Sequence, residues 1–143
     1  MNNVAHKRIA DDLADRAGIL AEAEAAALSG SALRLAPSRV RAALSAHFDA
    51  SEIESVVAPH RTLQRRVARG EALTEDESDR AVRLARIADH AERVFGDPEK
   101  AARWLRKPVP ALHGRTPVEL LQTETGARKV EDELIRIDHG IFG

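Results

Sequence analysis

A chain of 143 residues with a formal net charge of −1 has room for one ordinary domain or two small ones sharing a core. Its 43% apolar share is enough to fold, yet aromatics supply only 3%, which favours helix over strand and argues against a small-molecule pocket. The lack of cysteine excludes disulfides and thiolate metal sites; with no apolar leader core and no membrane-length apolar run, the expectation is a cytoplasmic protein without membrane contact.

Residues 4–28 read as helix, with Gly18 a candidate break between two shorter ones, and Ser29-Gly30-Ser31 as a loop. A short helix follows Pro37, with Val40, Leu44 and Phe48 as its inward stripe. Asp49-Ala-Ser-Glu52 is a capping box that starts the next helix, through Ile53, Val56 and Val57. Ala58-Pro59-His60 makes a tight turn into a helix over 61–69, with Leu63 and Val67 facing in and Gly70 ending it. A second capping box, Thr74-Glu-Asp-Glu77, opens the longest helix, which runs to about Phe95 and stops at Gly96. Asp97 and Pro98 start a helix holding Trp104 and Leu105, with Trp104 expected to anchor a core shared with Phe95. Thr116-Pro117-Val118-Glu119 combines an N-cap, a first-turn proline and a glutamate at the third position. The final helix spans about 125–139, with Ala127, Val130, Leu134 and Ile137 on one face and Gly140 after it. Nothing reads as strand.

Charge is distributed unevenly along these elements. Residues 1–31 and 71–143 each carry more acids than bases, whereas residues 32–70 hold seven arginines against Asp49, Glu52 and Glu54. Two short helices joined by a tight turn, the second rich in arginine, is the helix-turn-helix pattern of DNA-binding proteins. Arg61, Gln64, Arg65 and Arg69 share one face, flanked by Thr62 and Arg66, and no acid occurs from Val56 to Gly70. Arginine reads guanine bidentately, glutamine reads adenine, and arginine and threonine also bind phosphates, so these six residues are the expected DNA contacts. The alternative is a solvated helix face, or one paired with the acids of residues 71–79.

Catalysis is not expected. The histidines at 6, 47, 60, 90, 113 and 139 are scattered without ligand spacing, and there is no phosphate-cradling glycine loop, no nucleophile elbow and no thiol. Asp49, Glu52, Glu77, Asp97 and Glu119 are explained as helix caps. No metal and no cofactor are expected.

From Arg61 onward a series of runs occurs in a fixed order. They are Arg61-Thr-Leu-Gln-Arg-Arg, Leu73-Thr-Glu-Asp-Glu-Ser-Asp-Arg80, Arg83-Leu-Ala-Arg-Ile87, Val94-Phe-Gly-Asp97 and Ala101-Ala-Arg-Trp-Leu105. Gly114-Arg-Thr-Pro-Val-Glu-Leu-Leu121, Thr123-Glu-Thr-Gly-Ala127 and Arg136-Ile-Asp-His-Gly140 follow. Taken together this series resembles the Xre-type antitoxins of the MbcA/ParS/Xre family, closely over the last eighty-five or so residues and loosely over the thirty before them. Gln122, where many members have Asp, and Ile135, where glycine is common, depart from the pattern and bear on partner choice.

The resemblance implies an all-α protein: an N-terminal helix-turn-helix (Xre-like) domain packed with a small C-terminal helical toxin-binding domain. It implies an antitoxin that neutralises a RES-domain toxin, which consumes NAD+, and that binds operator DNA to repress its own operon. The expected divisions are an N-terminal helical segment at 1–31, the DNA-binding domain at 32–88 and the toxin-binding domain at 89–143. A homodimer or larger toxin–antitoxin complex is expected on an inverted repeat. The alternative is a plain transcriptional regulator with a C-terminal dimerisation domain.

One further expectation concerns the chain's end. Arg136, Asp138 and His139 crowd the end of the final helix with polar groups, and Gly140 leads into the apolar Ile141, Phe142 and Gly143. A chain end is easily inserted into a concave pocket, so this segment is expected to cover the toxin's active-site entrance. The alternative is that the tail folds back on the protein's own core.

Overall fold

The computed structural model describes residues 2–140, with 2, 3, 5, 6, 8–10, 12 and 13 described by backbone alone. Among the described residues there is no strand, and the fold is all-α, as the alanine- and leucine-rich composition predicts. The chain divides into two compact units, Met1–Ala85 and Arg86–Gly143.

The first unit opens with α1 (Asn2–Ser29), a single helix of 28 residues. It runs straight through Gly18, against the expected break. Gly18 instead marks a close approach, since a Cβ there would sit 3.1 Å from Nη2 of Arg39 on α2 (Pro37–Leu44). On α1 Ile19 and Arg16 are buried, and Arg16 Nη1 lies 3.5 Å from Nδ1 of buried His47, just beyond α2.

The inward stripe Val40, Leu44 and Phe48 is buried as its spacing predicts. Asp49 and Glu52 make the reciprocal capping box of α3 (Ala50–Val56). Three residues then lead into α4 (His60–Arg69), which ends at Gly70 in the left-handed conformation (φ 65°) that costs glycine little. The second box is also present: Thr74 Oγ1 accepts from Glu77 N (3.1 Å), and Glu77 Oε1 accepts from Thr74 N (2.9 Å), opening α5 (Glu75–Phe95). The loop before α2 is tied to this start, since Leu35 N donates to buried Ser78 Oγ and Leu73 N donates to Leu35 O.

The second unit begins within α5. Asp97 caps α6 (Pro98–Leu105), which turns Ala101 and Leu105 into the core. A 3₁₀ turn at Pro110–Leu112 follows, and the Thr116-capped segment is also a 3₁₀ helix, Pro117–Gln122, not an α-helix. Thr123 then caps α7 (Glu124–Asp138), whose Ala127, Val130 and Leu134 are buried. Arg86 holds α5 to α7: its Nε donates to Glu131 Oε1 at 2.6 Å and its Nη2 to Glu124 Oε1 at 2.9 Å.

Trp104 and Phe95 do meet, with ring centroids 5.5 Å apart and tilted by 41°, but both rings are only half-buried. The reason is helical phase. Ala101 and Leu105 take the inward face of α6 and leave Trp104 at its margin. Trp104→Ala is therefore expected to cost about 2 kcal/mol, below the roughly 3–5 kcal/mol of a fully buried ring. Denaturant unfolding measures this, and a loss at the upper end would mean the ring is a true core residue.

Candidate functional site

Helix α4 attaches to the first unit by a narrow strip, because Leu63 is its one fully buried residue. The opposite face presents Arg61, Gln64, Arg65 and Arg69, all exposed, with Thr62 half-buried beside them. These side chains recur at i, i+3 and i+4, so one turn stacks on the next along a single face. Among the described residues none of Arg61, Arg65 and Arg69 has an ion-pair partner. Three exposed cations without ion-pair partners among the described residues, on one helix face, form a surface suited to a polyanion.

Arg41 joins this surface from α2. It is exposed and lines an open depression of about 470 Å³ together with Gln64, Val67 and Ala68. Sequence reasoning counted Arg41 in the basic segment but did not place it at the site. The only signal available was its membership in that segment, because its neighbourhood to Gln64 is a tertiary fact.

Two expectations on α4 are corrected. Val67 was expected to face in, and it is 51% exposed, lining that depression and a second one of about 240 Å³ beside Ala36, Pro37 and Gly70. Arg66 was expected to flank the reading face and instead turns back into the protein. Its Nε lies 2.8 Å from Glu77 Oε1, its Nη2 donates to Glu77 Oε2 at 3.1 Å, and its Nη1 lies 3.6 Å from Glu71 Oε2. Only 15% of the Arg66 side chain is exposed, and 10% of Glu77. Residue 66 thus takes the alternative that pairs the helix with the acids of 71–79.

Burial alone would raise the Glu77 carboxyl, but hydrogen bonds from Arg66 and Thr74, with the Arg66 charge, outweigh it and hold the group below its ordinary value. The stability this pair supplies is fully present above the ordinary glutamate range. It is lost as pH falls through the lowered folded value.

At the far end of the second unit, α7 brings Arg136, Asp138, His139 and Gly140 together. Asp138, His139 and Gly140 are exposed; Arg136 is half-buried, with Nη1 3.6 Å from Glu133 Oε2. Gly140 adopts φ 68° and its N–H bonds to Ile137 O. The other residues expected in this site, Ile141, Phe142 and Gly143, lie outside the described residues. No group of three or more metal-ligating side chains occurs among the described residues, and no helix among them is long and apolar enough to cross a membrane.

Residues 90–140 match the model of the antitoxin Xre/MbcA/ParS C-terminal toxin-binding domain. The chain is 46% identical over 84 residues to an antitoxin Xre of Pseudomonas putida, covering 59% of this chain and 53% of the relative. It is 42% identical over 85 residues to an antitoxin Xre of Yersinia enterocolitica, covering 59% and 57%. A Prs ADP-ribosylating antitoxin of Sphingobium is 31% identical over 104 residues, covering 66% and 62%. The chain spans about half the length of the Xre relatives it matches. The domain match runs through the second unit from the end of α5 to the end of α7, and there the chain is similar to the antitoxins of the Xre/MbcA/ParS family.

Proposed function

We propose that this chain is the antitoxin of a two-gene module, in which residues 90–140 bind and neutralise a RES-domain toxin that consumes NAD+. The match of the second unit to a toxin-binding domain carries this reading. The name of the Sphingobium relative adds support for the toxin's chemistry, since NAD+ is the usual donor in ADP-ribosylation. The toxin contacts come from the polar end of α7: Arg136, Asp138, His139, Gly140 and the residues after them. In this reading the chain is not an enzyme and works in the cytoplasm, where NAD+ is found.

The same chain binds its operator and represses its own transcription. Helices α3 and α4, with residues 57–59 between them, act as a helix-turn-helix unit, and α4 is the reading helix. Support comes from its open cationic face, Arg61, Arg65 and Arg69, with Arg41, Thr62 and Gln64 adding contacts. A homodimer or a larger complex with the toxin supplies the second reading helix for an inverted repeat.

The test of neutralisation is co-expression with a RES-domain toxin from the same operon. Growth should be rescued and the two proteins should co-purify; rescue without any complex would refute direct binding. For DNA, Arg65→Ala or Arg69→Ala should each cost about 1–3 kcal/mol on a promoter fragment, with binding falling steeply as salt rises. Unchanged affinity in Arg61→Ala, Arg65→Ala and Arg69→Ala alike would remove α4 as the reader.

A further inference from the structure

We infer that the Arg66–Glu77 pair is a positioning latch for α4: Glu77, an acid, is required for tight binding of DNA although it does not itself touch DNA. The inference rests on the reading of α4 as the DNA-binding helix and goes beyond it by assigning a role to two residues outside the contact surface.

The geometry carries the argument. Helix α4 has a single fully buried side chain, Leu63, and one anchor cannot fix the rotation of a helix about its own axis. A second attachment away from Leu63 is needed, and neighbouring Val67, 51% exposed, does not supply it. Arg66 does, through two contacts to the two carboxylate oxygens of Glu77, at 2.8 Å and 3.1 Å. A planar guanidinium that donates from Nη2 to Oε2, with Nε beside Oε1 and Nη1 facing Glu71, fixes direction as well as distance, which a point charge would not.

Glu77 is itself immobilised. Its Oε1 accepts from Thr74 N and its own N–H donates to Thr74 Oγ1, so the carboxylate is held by the first turn of α5. Its burial behind Arg66 leaves it little freedom to swing away. Leu63 and Arg66, one turn apart, therefore set which way Arg61, Arg65 and Arg69 point. The capping box of α5 thus has a second use. It terminates one helix and orients another.

The effect of removing the charge at 77 distinguishes the latch from its alternatives by sign. An acid that merely lies near a DNA-binding surface repels phosphates, so its neutralisation should tighten binding. The latch requires the opposite. Glu77→Gln, which keeps the cap's shape and an acceptor oxygen, should weaken binding of the full chain to a duplex carrying the promoter of its own gene by about tenfold, the order of a lost charge-assisted contact. Binding to a scrambled duplex of the same length should change little. Glu75→Gln, at an exposed first-turn acid of α5, serves as the charge control and should leave promoter affinity unchanged or higher.

Circular dichroism at the assay temperature establishes that Glu77→Gln remains folded; should it not, Arg66→Lys decides. Lysine would satisfy a phosphate contact but cannot reproduce the planar group's directed bond to Glu77 together with its approach to Glu71, so the latch predicts weakened promoter binding for Arg66→Lys as well. Promoter affinity equal to or above wild type in folded Glu77→Gln, or wild-type affinity in Arg66→Lys, overturns the latch. Absence of promoter binding by the wild-type chain overturns the DNA reading itself, which keeps the two failures distinct.

Discussion

Gly126→Ala should unfold the second unit well below the temperature at which the wild-type unit unfolds. On helix propensity alone the change is favourable, because alanine in a helix is better than glycine by about 1 kcal/mol. The packing reverses the sign. A Cβ at residue 126 would stand 1.9 Å from the carbonyl oxygen of Leu120, 2.9 Å from its carbon and 3.1 Å from Thr123 Oγ1. The first two are backbone atoms of the 3₁₀ helix and cannot swing aside as a side chain would. Relief requires the 3₁₀ helix to move off α7, which would pull buried Leu121 from the core and strain the Thr123 cap on Gly126 N. The expected cost is about 3 kcal/mol or more, beyond ordinary overpacking, which in a domain this small is a fall in melting temperature on the order of 15 °C. Thermal unfolding measured by circular dichroism checks it. A variant as stable as wild type, or more so, would mean that the close approach of the two backbones is not a feature of the folded domain.

Gly126 also shows where the reading of sequence stops. A glycine in the first turn of a helix looks like a simple loss of stability, and its justification lies six residues back, in a carbonyl that only tertiary structure brings near. The caps were legible for the opposite reason. Asp49 with Glu52, Thr74 with Glu77, and Asp97 with Lys100 N satisfy helix ends within three residues, so the chemistry and the spacing are both local. Gly70 and Gly140 were legible because a left-handed residue after a helix leaves few alternatives.

The inward face of α4 was only half legible. Periodicity placed Leu63 inside, and Arg66 and Val67, three and four residues on, flank it on either side. Hydrophobicity favours Val67 for the interior. The fold chose Arg66, because a fixed carboxylate at Glu77 stands on that flank while the other opens into a depression beside Arg41. The candidate DNA face survived this error, since Arg61, Arg65 and Arg69 lie opposite Leu63 whichever flank is inward.

Deleting Gly140–Gly143 should abolish protection from the toxin while leaving the fold and promoter binding intact. The structural half of this expectation rests on where the core of α7 ends. Leu134 is the last fully buried residue; Ile137 is half-buried, and Asp138, His139 and Gly140 are exposed. The helix reaches Asp138, and His139 N–H closes it on Ile135 O, so a chain ending at His139 keeps the buried residues described for the helix, Ala127, Val130 and Leu134. The stability loss should be within about 0.5 kcal/mol, as for surface changes. The functional half rests on the proposal that the end of α7 and the residues after it enter the toxin's NAD+ site, where a short apolar segment displaces water more effectively than a charged one. Co-expression with the toxin reads protection, and thermal unfolding with promoter binding reads integrity. Full protection by the truncated chain would eliminate the plug and move neutralisation to the helical surface of residues 98–135. Loss of protection together with loss of folding would show that the tail instead packs on its own domain, the competing reading for Ile141 and Phe142. Arg136→Ala and His139→Ala separate these further, because they alter the polar rim without shortening the chain. A plug that needs its rim predicts weaker toxin binding in both, with unfolding temperatures unchanged.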